Sequence, residues 1–399
     1  MPPRFLHVDL DAFFVEVCRQ RHPELRDLEL LVVGGRRDQR GVVQSASYGA
    51  RKFGVRSGMP IAEAVRRCPG ATFFQGSFAH YIEASRAVHG VLEHFSPVVA
   101  MASLDEAYLD FSGTELLHPV SLLPVATGIR DRVKADAGLD CSIGIGPNRM
   151  IAKLASDAAK PRGLMEVRPG WEAGFVAGLE LKALPGIGPK TAAALARLGL
   201  TLVWQVQQMS LEALENLLGD EARALKHRAG GHGGTTLTAN RTPKSISRET
   251  TLSRDSTDRE RLDRLLTLFA ARVAAQLRDE GLSARTVQLK LRHGDFHTVT
   301  RRKTLNQPTD LDAEIYAAAA ELLGPAYDEV RKRNQGVRLI GVGVSNLNPS
   351  EPADLFEPGE RTRLREITSA VDRIRGKFGF DALKSGKLVP KPKGQGTED

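Results

Sequence analysis

Two adjacent carboxylates, Asp105 and Glu106, interrupt an apolar stretch that otherwise has the pattern of two β-strands. Residues 98–102 precede the pair and residues 107–111 follow it, and both segments are rich in residue types that strands favour. A carboxylate in such surroundings is costly without a counter-charge. Neighbouring strand side chains point to opposite faces, so both acids can share a ligand only if the chain turns sharply between two hairpin strands. The pattern therefore predicts a hairpin with a cation at its turn.

A third acid lies near the N-terminus, where residues 5–11 alternate in polarity. The predicted strand has an apolar side and a polar side, formed by Leu6, Val8 and Leu10 and by His7, Asp9 and Asp11. Two carboxylates about 4 Å apart repel by roughly 4 kcal/mol at an intermediate dielectric, so a cluster of Asp9, Asp105 and Glu106 implies divalent cations. All-oxygen ligands favour Mg²⁺ or Mn²⁺, and three carboxylates holding two Mg²⁺ suit phosphoryl transfer. The alternative is that the Asp105–Glu106 pair forms ordinary salt bridges at a surface turn.

Other features suit the phosphates of a substrate. Asp11 is predicted to cap a helix over residues 12–20, which leaves the amides of residues 12–14 free at an anion-attracting N-terminus. Tyr48 and Arg51 share a helix face and could clamp a phosphate. Lys160 is predicted to end a helix over residues 148–159, and its alternative role is that of a solvated cation at the helix C-terminus.

Four segments, in this order, resemble the motifs of the Y-family DNA polymerases, in the DinB or polymerase IV branch. They are residues 8–14 (VDLDAFF), 48–55 (YGARKFGV), 103–110 (SLDEAYLD) and 142–148 (SIGIGPN), the last running on to Lys153 and Lys160. The resemblance covers residues 1 to about 347. It implies a template-directed DNA polymerase of low fidelity that bypasses damaged template bases.

The resemblance also implies roles for individual residues. Asp9, Asp105 and Glu106 would be the catalytic ligands of two Mg²⁺, with the Leu10 carbonyl assisting. The deoxynucleoside triphosphate would be bound by Phe13, Phe14, Ser45, Tyr48, Arg51 and Lys160. Phe14 corresponds to the family's steric gate, an aromatic ring that blocks a ribose 2′-hydroxyl. The alternative is that Phe14 is a core residue on the apolar face of the first helix.

The same resemblance implies a multi-domain α/β fold, the right-hand polymerase architecture. The expected parts are a palm (1–10 and 77–168), fingers (11–76), a helical thumb (169–235), a linker (236–244), a β-α-β-β-α-β little finger (245–347) and a partly disordered tail (348–399).

Two surfaces are expected to bind primer-template DNA. In the thumb, a helix-hairpin-helix-like turn offers Gly186, Gly188 and Lys190 to a phosphate, the alternative being a plain αα-hairpin. In the little finger, two neighbouring strands are expected to form a single basic face that includes Lys290, Arg292, Arg301 and Arg302. The alternative is that this face is only the solvated side of a sheet.

Composition sets the wider frame. The chain has 399 residues with a net charge of +8, which suits a polyanionic partner but also an acidic protein or a membrane surface. Its three cysteines are scattered, which argues against a disulfide framework and favours a cytoplasmic location. No apolar run reaches transmembrane length, so no membrane association is expected.

These features together predict a monomeric polymerase. A catalytically silent DNA-binding adaptor is the main alternative, and the three intact acids weigh against it. A helix-hairpin-helix nuclease or glycosylase gives no role to Phe14. In the tail, Leu355 and Phe356 resemble a sliding-clamp-binding peptide, although Pro352 stands where that motif usually has Gln. Alternatively, they pack under an amphipathic helix predicted over residues 361–378.

Overall fold

The structure, a computed structural model, describes residues 3–237, 242–350 and 359–388. The chain divides into two compact units, residues 1–241 and residues 242–399. None of the helices in the described ranges combines the length and the hydrophobicity that crossing a bilayer requires. Leu355 and Phe356 lie outside the described residues, as does the end of the tail.

The first unit contains eight strands and eleven α-helices within its described residues. The strands are β1 (Phe5–Leu10), β2 (Leu31–Val33), β3 (Ser45–Ala46), β4 (Thr72–Phe74), β5 (Val99–Met101), β6 (Glu106–Asp110), β7 (Cys141–Gly146) and β8 (Leu164–Glu166). The helices are α1 (Phe13–Arg21), α2 (Tyr48–Lys52), α3 (Ile61–Arg67), α4 (Phe78–Glu93), α5 (Leu123–Ala137), α6 (Arg149–Ala159), α7 (Glu172–Ala177), α8 (Pro189–Arg197), α9 (Val203–Gln208), α10 (Leu211–Leu218) and α11 (Glu221–Ala229).

A five-stranded sheet with the order β5-β6-β1-β7-β8 forms the centre of this unit. The alternation predicted for β1 is confirmed: Leu6, Val8 and Leu10 face a hydrophobic core that includes residues of α4 and α5. The opposite face of β1 carries His7 and Asp9, and α6 packs there against β1 and β7. A polar strip is thus enclosed between a sheet and a helix.

Gly144 allows α6 to approach β7 this closely. A Cβ atom at position 144 would lie 2.0 Å from the carbonyl oxygen of Ala152 and 2.2 Å from the amide nitrogen of Ser156. Any side chain would push the helix away from the sheet, because both atoms belong to the backbone of α6, which cannot move aside. The glycine therefore sets the distance between α6 and the polar side chains of β1.

The rest of the first unit consists of a small sheet and a helical region. The sheet has the order β3-β2-β4, and residues of α2 and α3 share its core, which includes Val32, Ala50 and Ile61. The helices α7–α11 have a core of their own, to which α6 contributes Ile151 and Leu154. The predicted Gly-rich turn is present directly before α8, which begins at Pro189. The expected palm, fingers and thumb boundaries remain predictions.

The second unit has the element order predicted for it, β-α-β-β-α-β, followed by a further helix. Its elements are β9 (Ser245–Ser256), α12 (Arg259–Asp279), β10 (Leu282–His293), β11 (Thr298–Thr309), α13 (Asp312–Lys332), β12 (Val337–Pro349) and α14 (Gly359–Phe378). The antiparallel sheet has the order β11-β10-β12-β9, and α12 and α13 pack on one face of it. Val287, Leu289 and Leu291 of β10 are buried there, as predicted.

The expectation that Arg301 shares a face with Lys290, Arg292 and Arg302 is wrong. Residues directly opposite each other in an antiparallel pair have their side chains on the same face, and Arg301 lies opposite the buried Leu289. Arg302 instead lies opposite Gln288, on the open face. Consecutive residues of a strand alternate between faces, so Arg301 is directed towards α13, where it pairs with Glu329 at 3.0 Å.

The helix predicted over residues 361–378 is present as α14, but charges rather than apolar contacts hold it. Arg278 at the end of α12 donates to both carboxylate oxygens of Asp372, and Arg361 pairs with Glu314 of α13. No residue of α14 is buried, and Ile367 and Phe378 are largely exposed. The predicted apolar stripe is therefore only partly covered.

Candidate active site

One cavity of about 490 Å³ in the first unit brings together side chains that are far apart in the sequence. Ten predicted site residues line it, namely Asp9, Leu10, Phe13, Phe14, Ser45, Tyr48, Arg51, Asp105, Glu106 and Lys160. Gln44, Arg56 and Ser57 also line the cavity, and the sequence analysis did not single them out. The cavity lies at the end of β1, where this strand leads into α1.

The strand register places the acids. Asp9 of β1 lies directly opposite Glu106 of β6, so both side chains emerge on the same face of the sheet. The amide of Leu10 donates to the carbonyl of Asp105 at 2.9 Å, which extends the pairing by one residue. The predicted hairpin between β5 and β6 is confirmed, with its turn at residues 102–105.

Ser103 organises this turn, which contains neither Gly, Pro nor Asn. Its hydroxyl oxygen accepts hydrogen bonds from the amides of Asp105 and Glu106, and the hydroxyl donates to the Asp105 carboxylate at 2.5 Å. A serine side chain can in this way replace the backbone hydrogen bonds of a tight turn. As a result, the Asp105 carboxylate is directed at the cavity.

Asp9 is almost fully buried, and Lys160 is its counter-ion. The Lys160 ammonium lies 2.7 Å from Asp9 Oδ2 and 2.9 Å from Asp157 Oδ1. Burial raises the pKa of Asp9 to about 7, although Lys160 acts in the opposite direction. Burial alone would lower the pKa of Lys160, but the charge of Asp9 raises it. Asp9 thus needs a cation close by in order to remain ionised.

Glu106 has a different cation, Lys153 of α6. The Lys153 ammonium lies 2.6 Å from Glu106 Oε1, and His7 Nε2 lies 3.6 Å from Glu106 Oε2. The His7 ring and the Lys153 ammonium hold the pKa of Glu106 at about 2. Burial lowers the pKa of His7, whose Nδ1 is 2.7 Å from the Ser156 hydroxyl oxygen. Glu106 is therefore a stable anion at neutral pH.

In the described residues, no three Asp, Glu, His or Cys side chains converge as a ready-made metal cage. The donor chemistry nevertheless suits a hard divalent cation, because three carboxylates and the Leu10 segment line one cavity and all donors are oxygen. Two of the carboxylates already bind ammonium groups. This shows that the site attracts cations where its acids meet.

The prediction that Asp11 caps α1 is wrong. The helix is preceded by Ala12, which has a left-handed backbone conformation (φ 47°), and no side chain caps it. Asp11 instead accepts hydrogen bonds from the Tyr48 hydroxyl, the Ser142 hydroxyl and the Arg162 amide. Asp11 turns inwards because three donors from distant segments meet it there. Its carboxylate links α2, β7 and the chain after α6, and so helps to shape the cavity.

Tyr48 and Arg51 stand together on α2, as predicted. The Arg51 guanidinium lies 4.9 Å from the centroid of the Tyr48 ring, and its Nε donates to the carbonyl of Ala46 at 2.9 Å. Burial and the neighbouring Asp11 raise the pKa of Tyr48 to about 12, so its phenol stays protonated. The Arg51 guanidinium is thus a donor on the wall of the cavity, while the Tyr48 hydroxyl on the same wall donates to Asp11.

Phe14 also lines the cavity, and it is half-buried rather than part of the closed core. Its ring meets the buried Tyr81 ring edge-on, with 4.7 Å between the centroids. The Tyr81 hydroxyl is in turn 3.2 Å from Cys18 Sγ. Aromatic neighbours packed in this way keep the Phe14 ring in one orientation.

Comparison with known proteins agrees with this geometry. Residues 8–157 match the model of the impB/mucB/samB family, and residues 243–355 match that of its C-terminal domain. The DNA polymerase IV of Dehalococcoides mccartyi strain CBDB1 is 40% identical over 384 residues, or 96% of this chain and 97% of that protein. The DNA polymerase IV of Caulobacter vibrioides is 37% identical over 385 residues, covering 96% and 93%. The chain belongs to the Y-family of DNA polymerases, in the DNA polymerase IV branch.

Solved structures bear out the fold of this polymerase. A Y-family DNA polymerase chimera of Dbh and Dpo4 aligns with a TM-score of 0.72 at 24% identity, over 87% of this chain and all of the other. DinB from Sulfolobus solfataricus aligns with a TM-score of 0.56 at 25% identity, over 86% and 98%. The predicted multi-domain α/β polymerase fold is confirmed.

The functional prediction is confirmed as well. The protein is a DNA-directed DNA polymerase of the translesion and DNA-repair class, and members of this family depend on a divalent metal ion. Nothing supports the alternative of a catalytically silent adaptor. The sequence analysis gave no role to two residues that contact Glu106. Lys153 was noted only as part of the fourth motif, and His7 only as one of the polar residues of the first strand.

Proposed function

We propose that the 490 Å³ cavity is the polymerase active site, in which an incoming deoxynucleoside triphosphate meets the primer terminus. The observation that carries this proposal is the convergence of ten separately predicted residues on one cavity. The three acids lie at one side of it, and Tyr48, Arg51 and Lys160 are the donors that the triphosphate would need. The polymerase would bind primer-template DNA in the same place.

Asp9, Asp105, Glu106 and the Leu10 carbonyl would hold two Mg²⁺. When bound, these ions supply the positive charge that stabilises the transferring phosphoryl group. Lys160 and Lys153 would then leave Asp9 and Glu106, because the divalent ions would supply the positive charge that these carboxylates need. A lysine ammonium is charged at neutral pH, so that of Lys160 could pass from Asp9 to a phosphate oxygen.

The chain would position the remaining phosphate oxygens through Arg51, the Tyr48 hydroxyl and the amides at the start of α1. In the described residues no backbone carbonyl accepts from the amides of Phe13 and Phe14. Ala12 has a positive φ, a conformation that costs a non-glycine residue about 1–3 kcal/mol and is concentrated at functional sites. This conformation turns the first amides of α1 towards the cavity, where they can bind an anion.

Phe14 would act as the steric gate. Its ring is held by Tyr81 at the wall of the cavity, so a ribose 2′-hydroxyl in that position would meet a surface that cannot move aside. Ser45 is small and buried beside the cavity, which leaves room for a distorted base pair. Low fidelity and selection against ribonucleotides are both consistent with this arrangement.

DNA outside the active site would contact two surfaces. In the first unit these are Gly186, Gly188 and Lys190 at the turn before α8. In the second unit they are Lys290, Arg292 and Arg302, which lie on the open face of the sheet. On the same face, β12 carries Gly341 and Gly343 opposite Lys290 and Gln288, and the Lys290–Glu249 ion pair spans Gly341. A DNA phosphate would have to displace Glu249 in order to bind Lys290 there.

The state of the cysteines bears on the cellular compartment. All three cysteines are buried and free, which suits a reducing cytoplasm. We place the enzyme there as a monomer. The clamp contact through Leu355 and Phe356 remains a prediction.

Primer extension tests the proposal directly. Purified wild-type chain with Mg²⁺ should add deoxynucleotides to a primer on undamaged and on lesion-bearing templates, and chelation of the metal should stop it. Asp105→Asn and Glu106→Gln provide the decisive variants. Failure of the wild-type chain to extend any primer would overturn the proposal.

A further inference from the structure

A second cavity in the first unit, of about 580 Å³, lies beside the turn before α8 and is separate from the active site. Two glycine-rich segments border it, residues 184–188 and residues 230–234. Its lining includes Met150, Gly186, His227, Arg228, His232 and Gly233. None of the residues that line it is acidic, so basic side chains determine its charge.

Arg228 of α11 is the central cation of this cavity. Gly186 has a φ of +87°, and a Cβ atom there would lie 3.1 Å from Arg228 Nη1, so the guanidinium lies directly against the turn. Arg228 Nε is buried and has no hydrogen-bond partner in the described residues. The described part of the chain contains no carboxylate that pairs with Arg228. A partly buried cation without an anion is costly, unless a ligand supplies that anion.

Two other basic residues of the same helix differ from Arg228, because each has partners within the protein. Lys226 donates to the carbonyls of Val206, Gln207 and Met209, so its ammonium is fully used within the protein. Arg223, also on α11, is exposed and pairs with Glu215 at 2.7 Å. Among the Arg and Lys side chains of this helix, Arg228 is thus the one that has no hydrogen-bond partner in the described residues.

The frame around Arg228 is rigid. Asn148 Nδ2 donates to the carbonyl of Gly231 at 2.9 Å, and the amide of Arg149 donates to the carbonyl of Gly234 at 3.0 Å. These bonds tie the second glycine-rich segment to the start of α6. The rings of His227 and His232 lie 4.9 Å apart, between centroids, at the edge of the cavity. A histidine ring always carries at least one N–H, so each ring can donate a hydrogen bond.

We propose that this cavity binds a backbone phosphate of duplex DNA, with the Arg228 guanidinium as the main donor and His227 and His232 as additional donors. The proposal rests on the proposed function, because it extends the expected contact at Gly186, Gly188 and Lys190 into a pocket behind that turn. A phosphate fits better than a whole nucleotide, since the lining offers donors but neither an acidic acceptor for a base or sugar nor a large aromatic ring.

Binding of a primer-template duplex at several salt concentrations tests this proposal. Arg228→Ala should lower the affinity several-fold and reduce the slope of log affinity against log salt by about one unit, as expected for one lost phosphate contact. Arg223→Ala is the matched control, since it removes the same charge from the same helix, and it should leave the slope unchanged. Equal slopes for the wild type and Arg228→Ala would overturn the proposal.

A scan of the DNA sharpens the assignment. Neutral methylphosphonate groups replace single phosphates of either strand in turn, and one position should weaken binding by the wild type but have no further effect on Arg228→Ala. If every substitution weakens binding by both proteins equally, the phosphate site is not there. If Arg228→Ala does not fold, His232→Gln can replace it in this experiment. Neutralising the same phosphate should then weaken binding by His232→Gln less than binding by the wild type.

Primer extension at saturating DNA separates this proposal from the proposed function. The wild-type chain should extend primers whatever the binding result for Arg228→Ala, because Arg228 lies outside the active-site cavity. A wild-type enzyme that extends primers while Arg228→Ala has an unchanged salt slope would refute only the phosphate pocket. A wild-type chain that extends nothing would refute the polymerase site itself.

Discussion

The two large sheets of this polymerase differ in whether their charged side chains are buried. In the five-stranded sheet of the first unit, His7 and Asp9 are buried under α6, and Asp9 and Glu106 each have a lysine partner at 2.6–2.7 Å. In the four-stranded sheet of the second unit, the cations are at least partly exposed on the open face. There Lys290 meets Glu249, and Arg302 Nε donates to Gln288.

This difference follows from the cost of burying charge. A buried carboxylate needs a fixed partner, so the first sheet holds its groups in one arrangement around a cavity. Exposed ion pairs contribute about 0–1 kcal/mol each, so the second sheet can exchange its partners for DNA phosphates with little loss. We therefore expect the chemistry at the first sheet and sequence-independent DNA binding at the second. The following predictions test this division.

The largest effect is expected at the acid cluster. Asp105→Asn or Glu106→Gln should reduce nucleotide addition by at least about 10³-fold, because the lost metal ligand removes several kcal/mol of transition-state stabilisation. Affinity for primer-template DNA should change less than about twofold, since other surfaces hold the duplex. Single-turnover insertion and DNA binding are the two measurements.

The control for this variant is Asp136→Asn, which removes one exposed carboxylate that pairs with Arg132 on α5. It should insert nucleotides at the wild-type rate. Near-normal insertion by Asp105→Asn would contradict the proposed division of roles, because the first sheet would then not be the site of chemistry.

The second largest effect concerns selection rather than rate. Phe14→Ala should raise ribonucleotide insertion relative to deoxynucleotide insertion by at least about tenfold, because a rigid ring that excludes the 2′-hydroxyl is removed. Insertion efficiencies for the two sugars give the ratio. If Phe14 is instead only a core residue, its loss should cost about 3–5 kcal/mol of stability and lower both activities together.

Phe78→Ala provides the matched comparison for Phe14. The Phe78 ring also meets Tyr81 edge-on, at 6.3 Å, but Phe78 is exposed and does not line the cavity. Its removal should leave the sugar ratio unchanged. A similar shift in both variants would mean that Tyr81, not Phe14, determines selection.

A smaller effect should distinguish the two faces of the second sheet. Arg302→Ala should weaken DNA binding several-fold and lower the salt slope by about one unit, whereas Arg301→Ala should do neither. The two residues are neighbours in sequence, but Arg301 pairs with Glu329 of α13. Anisotropy titrations at several salt concentrations measure both. Equal effects would show that face assignment does not decide DNA contact.

The smallest effect concerns a buried histidine. His7 of the first sheet has a hydroxyl partner, but His293 at the end of β10 is buried with neither ring nitrogen bonded in the described residues. Burial lowers the pKa of His293, against the charges of Asp295 and Glu329 and together with His297 and Arg333. An ordinary histidine has a pKa of about 6.5. When folding lowers this pKa, the contribution of the group to stability is present at a pH above about 6.5 and is lost as the pH falls below it, because the unfolded chain then binds the proton more readily.

Unfolding of the full chain by denaturant should therefore become easier between about pH 7 and pH 5. His293→Leu should reduce this pH dependence, and His297→Gln, a change at the exposed neighbouring ring, should leave most of it in place. An unchanged pH profile in His293→Leu would show that other groups cause the acid sensitivity.

The predictions that succeeded rest on local patterns. Alternation placed His7 and Asp9 on the opposite face from Leu6 and Val8, and apolar flanks around Asp105 and Glu106 indicated a hairpin. Helical spacing located α6 and α14 to within two residues at each end. Period and polarity are properties of the chain itself, so they can be read without knowledge of its neighbours.

The predictions that failed needed distant partners. Asp11 was expected to cap α1, but it binds donors from residues 48, 142 and 162, which only the fold brings to it. Arg301 was expected beside Arg302, but the pairing register with β10 directs it to α13. Local sequence patterns alone gave no sign that either side chain binds a partner elsewhere in the fold.

The sequence by itself thus determined the polymerase family, the acids of the candidate site and the order of the elements in the second unit. The tertiary structure decided which cations face those acids, that ten scattered residues share one cavity, and that Arg228 lies against Gly186 with no carboxylate partner among the described residues. The physical reason is that motifs record the identity of a side chain, whereas its charge state and its partners depend on burial and on contacts between segments far apart along the chain.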